Sequence, residues 1–504
     1  MKKLLSILLT FAILTGCFSV SVSAANTDVV FSGFETPVLY ESSYNHKETA
    51  ENALSDYVTL SNLKTALLNG ISNCQTTINI SEFKIDYNQT TKSAIAGYVC
   101  YGIPEAFNVH SVGFSYDSAS MKILNMIVVY KTFSDQPSEY QACMKAISDA
   151  GDELLEGIEN NGQIGDIEKA LLIHDRLALW NEYDYGTTIP DESFTAYGAL
   201  GEKVSVCQGY AMAYMYLLNR VGIENYYCSS EVLNHGWNIV YIGDKAYHVD
   251  VTWDDYAWGT GERGAVGVVG HSNFLRSSNG IYATGHEATD YDTTPNDTTY
   301  DNYFWQNSET AFQLADNELY YIDNDNANLI RYSDGTILCS VDDTWKYNDY
   351  YYWGNNARLS SDGVSLYYSL TKAIYKFDLA TNTSKKIYEP SLLGYNSIYG
   401  FMYYDNYLIC DINNAPPYSA YGISNLYPVK VLYEEKTPSD SNGGDINGDG
   451  KTNNKDLGLL MQYLNGWDVA ISDTVADVNG DGRINNKDYG LLMQFVNGWD
   501  VVLK

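Results

Sequence analysis

The pattern of apolar and polar positions begins with a short apolar segment at residues 4–14, directly after Met-Lys-Lys. Such a segment is too short to span a bilayer, and its positive flank predicts a signal peptide over residues 1–24. The tripeptide Val22-Ser-Ala24 predicts cleavage after residue 24 and free secretion, which we favour. The alternative is a lipoprotein-type site ending at Cys17, which would acylate this cysteine and tether the chain.

The pattern then changes to helical and strand-like periodicity, which predicts a mixed α+β fold. Apolar residues have helical spacing at 49–68 and at 169–179, and a strand-like run lies at 123–130. We therefore predict an N-terminal α+β region over residues 25–150 that packs on a second α+β unit over residues 151–300.

A third pattern, short aromatic strands separated by turns rich in Asn, Asp and Gly, occupies residues 301–435. Strands that begin at Leu319, Leu366 and Met402 each continue with a Tyr-Tyr pair. These units resemble the blades of a propeller, but three are too few to close one, so we predict an open or atypical β-rich, propeller-like domain. Residues 436–444, with Pro, Ser and paired Gly, predict a flexible linker.

Composition and charge narrow the class of partners. The chain has 504 residues and a net charge of −33, which argues against nucleic acid and anionic lipid as partners. No segment beyond the leader is apolar enough to predict a transmembrane helix. Seven cysteines remain once the leader is removed, and they are scattered without a CxxC pair. At least one thiol must therefore stay free or pair between molecules.

Two acidic loops of the same pattern lie in residues 445–504, and they start 32 residues apart, at Asp445 and Asp477. Oxygen-bearing side chains at loop positions 1, 3, 5 and 12 suit a hard cation such as calcium. Position 12 is Asp in both loops, where an EF-hand has Glu. We predict two calcium ions, one in each loop, held by Asp445, Asn447, Asp449, Lys451, Asn453 and Asp456 and by Asp477, Asn479, Asp481, Arg483, Asn485 and Asp488.

An apolar helical pattern follows each loop, at residues 457–464 and 489–496, and no helical pattern precedes either loop. This duplicated loop–helix unit resembles a type I dockerin. The resemblance implies a small all-α calcium-binding module over residues 445–504 that docks onto a cohesin of a scaffold protein, as in a cellulosome. It also implies that loop positions 10 and 11 choose the partner, which here are Asn454, Lys455, Asn486 and Lys487. A calcium-stabilised segment without a partner is the alternative.

Cys207 is the predicted free thiol, because it stands where a helical pattern begins. Apolar residues at 211, 215 and 218 have helical spacing after it. The dipole and the exposed amides of a helix N-terminus favour thiolate over thiol, and they could hold an oxyanion. No side chain can be assigned from the sequence as a second oxyanion donor.

Two strand patterns supply a base and an orienting group for this thiol. They are joined at Gly243-Asp244, and a two-residue hairpin loop pairs Ile242 with Lys245. Continued along both strands, this register places His235 and Asp250 as diagonal neighbours on one face. We predict His235 as the base and Asp250 as its orienting group. His248 is the weaker alternative for the base, His174 is predicted to be a packed structural histidine, and Trp237 and Trp253 are predicted walls of the cleft.

The motifs that begin at Cys207, His235 and His248 read Cys-x-Gly-Tyr-Ala, His-x-Trp-Asn and His-Val-Asp-x-Thr-Trp. Together they are similar to the transglutaminase-like superfamily of thiol enzymes. The resemblance covers roughly residues 50–290, and it implies a papain-like or transglutaminase-like core with Cys207, His235 and Asp250 as nucleophile, base and orienting residue. Gly236 departs from the pattern, since Ala is commoner there in that family, and His286 follows the motifs as in bacterial members.

The sequence therefore predicts a secreted, multidomain α+β thiol enzyme that attacks protein or peptide amides through an acyl-thioester and needs no catalytic cofactor. We favour hydrolysis, a cysteine peptidase-like activity. The first alternative is a true transglutaminase that links glutamine to amines. The second is a non-catalytic binding or structural component of a cellulosome in polysaccharide degradation.

Overall fold

The protein is described by a computed structural model that covers residues 29–35, 46–255, 265–288, 290–343, 357–390, 397–413, 426–433, 443–448, 451–467, 469, 471, 473–497, 499, 501 and 503–504. The predicted signal peptide with Cys17, most of the predicted linker and the loop residue Asp449 lie outside these ranges. No helix in the described ranges has both the length and the apolar character that a bilayer crossing requires. The chain divides into two compact units, Met1–Val431 and Leu432–Lys504.

The first part of the larger unit is a mixed α+β layer. Its helices are α1 (His46–Leu54), α2 (Leu60–Ile71), α3 (Gln89–Gly97) and α4 (Pro137–Leu154), and its strands are β1 (Val29–Glu35), β2 (Thr77–Asn79), β3 (Val109–Asp117) and β4 (Lys122–Tyr130). The strands form one antiparallel sheet in the order β1-β3-β4-β2. The single helical pattern at 49–68 proves to be two helices, because the chain turns after Leu54 and Thr59 caps the start of α2.

The second part of the larger unit carries the predicted thiol. Its helices are α5 (Asp166–Trp180), α6 (Cys207–Arg220), α7 (Val251–Asp254) and α8 (Ser278–Ala283), and its strands are β5 (Glu182–Tyr183), β6 (Val204–Ser205), β7 (Asn225–Ser230), β8 (His235–Ile242) and β9 (Lys245–Val249). β5 pairs with β6 in parallel, and β7-β8-β9 form an antiparallel sheet.

The hairpin register is confirmed, but the second strand is shorter than predicted. Ile242 lies opposite Lys245 and Asn238 opposite Val249, as a two-residue loop requires. β9 ends at Val249, since the Asp250 carboxylate accepts hydrogen bonds from the N–H groups of Thr252 and Trp253 and so caps α7. The chain therefore turns at Asp250, and residues 251–253 are helical rather than extended.

One hydrophobic core joins these first two parts of the unit, and its buried residues extend from Ala50 to Leu319, which lies beyond the second part. Leu63 of α2, Leu171 of α5 and Leu217 of α6 are all fully buried in it. The shared core accounts for the packing of the N-terminal part against the thiol-bearing part, because amphipathic helices are stabilised chiefly by burying a common apolar face.

Three successive antiparallel sheets form the predicted β-rich region. Their strands are β10 (Gln313–Ala315), β11 (Glu318–Asp323), β12 (Asn328–Arg331) and β13 (Ile337–Ser340); β14 (Arg358–Ser361), β15 (Leu366–Leu370), β16 (Ala373–Asp378) and β17 (Thr383–Tyr388); and β18 (Ser397–Tyr404), β19 (Tyr407–Asn413) and β20 (Tyr427–Leu432). Strands that are neighbours in sequence are neighbours in each sheet. The three Tyr-Tyr pairs lie in β11, β15 and β18, as the strand pattern predicts.

The smaller unit contains α9 (Asn454–Leu464), α10 (Asp473–Ala476) and α11 (Asn486–Val496). α9 and α11 begin three residues before the predicted apolar stretches, because Asn453 and Asn485 cap them. A four-residue helix, α10, precedes the second loop, so the prediction that no helix precedes either loop is wrong there. Leu460 and Leu492, which are equivalent in the two repeats, are buried in one small core.

A buried polar network is built around His174 on α5. His174 is fully buried, as predicted for a structural histidine, and its Nδ1 lies 2.8 Å from Asp175 Oδ1. Its Nε2 lies 3.3 Å from Asp254 Oδ2. His271 Nε2 shares Asp175 Oδ1 at 3.0 Å, and the Phe312 N–H donates to Asp175 Oδ2 at 2.6 Å. Burial opposes the charged form of His174, but Asp175 and Asp254 outweigh it and raise the pKa to about 9.

We predict that His174→Gln destabilises the protein more at pH 6 than at pH 9.5. A histidine whose folded pKa is raised from 6.5 to about 9 contributes roughly 3 kcal/mol to the free energy of unfolding. That contribution is complete below pH 6.5 and is lost as the pH rises through 9. Denaturant titration at both pH values measures it, with His110→Gln, an exposed site on β3, as the control. An equal loss of stability at the two pH values would contradict the charged role.

Candidate active site and calcium loops

Cys207 is the first residue of α6 and is half-buried. Val206 precedes the helix without a side-chain cap, so the first-turn N–H groups have no intrahelical partner. Gly209 lets this turn pack closely, since a Cβ there would lie 2.6 Å from the Ser193 carbonyl oxygen and 2.5 Å from Ser205 Cβ. The sequence motif thus places the thiol at a helix N-terminus, as predicted.

His235 lies at the start of β8 and connects the thiol to Asp250. His235 Nε2 lies 2.6 Å from Asp250 Oδ2, and both side chains are buried. Asp250 engages Nε2, so Nδ1 is the nitrogen left to face Cys207, a neighbour that contributes to the raised pKa of His235. The structure therefore brings together all three residues that the sequence predicts for the site.

The charges of this site raise the affinity of His235 for a proton. Burial opposes the imidazolium form, but the Asp250 carboxylate and Cys207 together raise the pKa of His235 to about 10. Burial likewise opposes the charged form of Asp250, yet His235 and His286 hold the pKa of that carboxyl well below its usual range. At neutral pH His235 and Asp250 therefore form an ion pair.

His286 is the residue that local sequence patterns do not assign to the site. Its Nε2 lies 2.9 Å from the same oxygen, Asp250 Oδ2, that bonds His235. The ring packs against Trp253, with centroids 4.0 Å apart, and against Trp237 at 5.0 Å. Because 36 residues separate His286 from Asp250, no hairpin or helical period could have indicated the contact.

Two tryptophans and a neutral histidine surround the site. Trp253 is 38% exposed and its ring centroid lies 5.2 Å from that of His235, so it forms an open wall of the site. Trp237 is buried and donates from Nε1 to His248 Nδ1 at 3.0 Å. Burial lowers the pKa of His248 to about 3, so this imidazole is neutral and structural. A Cβ at Gly236 would lie 2.0 Å from the Tyr227 hydroxyl, so a larger residue there would require the Tyr227 side chain to move.

Seven cysteines lie in the described ranges, and none forms a disulfide there. Burial is the main cause that raises the pKa of six of them: Cys74, Cys100, Cys143, Cys228, Cys339 and Cys410. These six thiols are therefore poor nucleophiles near neutral pH.

Two groups in the described residues bring two imidazoles and one carboxylate within 4.8 Å of one another: His174, Asp175 and His271, and His235, Asp250 and His286. In each group hydrogen bonds join both imidazoles to the carboxylate. These bonds account for both arrangements without an ion.

In the smaller unit, the carboxylate at loop position 12 organises each loop. Asp456 is fully buried and accepts from the N–H groups of Asn447 at 3.0 Å and Asn453 at 2.8 Å. Asp488 accepts in the same way from Asn479 at 3.2 Å and Asn485 at 2.8 Å. The repeated contacts give the two loops the same local structure.

These features are those of a known module. Residues 443–497 match the type I dockerin domain. A type I dockerin implies docking to a cohesin in a cellulosome, and calcium binding is a general property of that family.

No curated protein matches the chain. Among solved structures, a chain described as a TGase matches with 16% identity and a TM-score of 0.20 over 31% of this chain. This chain spans less than half of that protein, 46% of its length. A TM-score this low does not support a statement about the fold or the activity of this chain.

The donor chemistry of the dockerin loops fits calcium. In the second loop the Asp481 N–H donates to Asp477 Oδ1 at 3.1 Å, and Gly482 allows the turn there with a φ of +77°. Asn453 and Asn485, which were predicted as ligands, direct Oδ1 to the helix N–H groups of Lys455 and Lys487 at 2.9 Å. Their oxygens cap the helices in this structure, so the carboxylates are the stronger candidates to hold the cation.

The four predicted partner residues of the dockerin, Asn454, Lys455, Asn486 and Lys487, are all exposed at the first turns of α9 and α11. Each repeat thus presents the same pair in the same local setting.

We predict that chelation removes amide protection from α9 and α11 in the full chain, because grouped carboxylates repel one another when no cation is bound. Hydrogen exchange read by mass spectrometry, with and without excess chelator, measures this helix by helix. Asp456→Ala should release α9 first, and Asp488→Ala should release α11 first. Unchanged exchange in excess chelator would contradict the calcium assignment.

Proposed function

We propose that this protein is a secreted thiol enzyme that hydrolyses protein or peptide amides and is carried on a scaffold by its dockerin. The observation that supports the activity is the 2.6 Å contact between His235 and Asp250, with Cys207 at the start of α6 as a neighbour that contributes to the raised pKa of His235. A nucleophile, a base and an orienting group in that order are the elements of thiol catalysis.

In the proposed reaction, the Cys207 thiolate attacks the amide carbon while the imidazolium of His235 stands beside it. The first-turn N–H groups of α6 stabilise the oxyanion that forms. His235 then gives its proton to the leaving amine, and a thioester remains on Cys207. Water, deprotonated by His235, hydrolyses the thioester and releases the acid. Asp250 keeps the imidazole oriented throughout, and Trp253 is proposed as the wall beside the acyl group.

The dockerin part of the proposal assigns one calcium ion to each loop, held chiefly by Asp445, Asp449 and Asp456 and by Asp477, Asp481 and Asp488. The charged or polar pairs at loop positions 10 and 11 of both repeats would contact the cohesin. Docking on a scaffold fits the predicted signal peptide and an extracellular site of action.

We predict that iodoacetamide at pH 6 modifies Cys207 before any other thiol, and that His235→Ala slows this labelling at least tenfold. His235 supplies the positive charge that favours the thiolate. Peptide mapping by mass spectrometry locates the label. Peptide pools incubated with wild type and Cys207→Ala then separate the activities: cleaved peptides support hydrolysis, and isopeptide products select a transglutaminase. Equal labelling after His235→Ala would remove the base from the proposal.

We predict that the alkaline limb of the kcat/KM profile lies near pH 10, the pKa of His235, because deprotonation of the imidazolium removes the acid for the leaving amine. Asp250→Asn should move this limb to lower pH, since it removes the carboxylate that raises this pKa, and should lower kcat by about 10²–10⁴. Asp244→Asn, in the hairpin turn of the same sheet, is the matched control. An alkaline limb that stays in place in Asp250→Asn would contradict the ion pair.

We predict that changing Asn454 and Lys455 to Ala weakens cohesin binding little, because the second repeat presents an equivalent face. Changing Asn486 and Lys487 as well should abolish binding while the thiol activity is retained. Calorimetry against a panel of cohesins measures both effects. Complete loss from the first pair alone would show that a single face is used.

A further inference from the structure

Acyl transfer through a tetrahedral intermediate is fastest when two donors face the developing oxyanion. The first turn of α6 provides backbone N–H groups, but the proposed mechanism assigns no side chain as the second donor. Tyr183, at the end of β5, is the candidate, because its strand pairs with the residues that lead into Cys207.

The backbone ties Tyr183 to the residues that lead into Cys207. β5 and β6 pair in parallel, with Tyr183 beside Ser205, and the Asp184 N–H donates to the Ser205 carbonyl at 2.9 Å. The Asn181 side chain donates to Ser205 Oγ at 2.7 Å. Because Ser205 is two residues before Cys207, these bonds hold the end of β5 next to the start of α6.

The ring of Tyr183 is also held by its neighbours. It stacks towards Tyr210 of the first turn of α6, with centroids 6.5 Å apart, and contacts the Tyr185 ring at 4.9 Å. The Tyr210 hydroxyl is engaged, since it donates to Asp255 and reaches the Asn181 carbonyl. Tyr183 therefore packs against the same helical turn that carries the thiol.

The hydroxyl of Tyr183 makes no hydrogen bond within the described part of the chain. The side chain is half-buried. Burial first, and then the nearby Cys207, raise the pKa of Tyr183 to about 12, and Asp250 adds to this effect. The phenol thus keeps its proton at neutral pH and remains a hydrogen-bond donor.

We propose that Tyr183 is a catalytic residue whose hydroxyl donates a hydrogen bond to the oxyanion formed when Cys207 attacks an acyl carbon. The inference rests on the proposed thiol function. As the Sγ–C bond forms, the carbonyl π electrons move to oxygen, and Tyr183 and the Cys207 N–H stabilise that charge without transferring a proton. When the intermediate collapses, the bond to the leaving group breaks and the thioester remains.

Two reagents that react with the same thiol distinguish this role from a structural one. Acylation of Cys207 by p-nitrophenyl acetate passes through an oxyanion, whereas alkylation by iodoacetamide is a displacement at a saturated carbon and does not. Tyr183→Phe should slow acylation of the full-length protein by about 10–10² and leave the alkylation rate unchanged. Tyr185→Phe is the matched control: Tyr185 is 51% exposed, and its variant should leave both rates unchanged.

Acylation of Tyr183→Phe at the wild-type rate overturns the assignment, and so does an equal slowing of acylation and alkylation, which would mean that Tyr183 acts on the thiolate. Acylation that persists in Cys207→Ala overturns the proposed thiol function and, with it, the role of Tyr183. Slowing of acylation alone supports both proposals.

Discussion

The buried carboxylate of Asp250 is the constraint on which the thiol region depends. It accepts from two imidazoles at Oδ2 and from the N–H groups of Thr252 and Trp253 at Oδ1. Moving a carboxylate out of water costs several kcal/mol unless donors replace the solvent. Four donors meet that requirement here, so the same side chain ends β9, starts α7 and orients His235.

The buried network around His174 supports the segment that follows Asp250. Asp254 accepts from the backbone N–H and the side-chain amide of Asn273, and the Asn273 carbonyl in turn accepts from the Asp250 N–H at 3.0 Å. Asp254 also lies beside His174, which connects this segment to α5. Two polar networks therefore converge on five residues, Asp250 to Asp254.

The dockerin loops also depend on a buried carboxylate that accepts hydrogen bonds from several N–H groups. In each loop one buried carboxylate, Asp456 or Asp488, gathers backbone N–H groups and also caps the helix that follows. In the second loop Asp477 and Asp481 lie together around the turn, and a calcium ion would offset the repulsion of such grouped carboxylates.

The sequence by itself determined the features that arise from short-range geometry. The two-residue hairpin loop set the pairing of Ile242 with Lys245, the twelve-residue loops placed their carboxylates, and the helical pattern put Cys207 at a helix start. Only the tertiary structure decided the sharing of Asp250 by His286, the capping turn at Asp250 and the pairing of Tyr183 with Ser205. Contacts of this kind join residues that are far apart in sequence, and no local period records them, because they depend on how the elements pack.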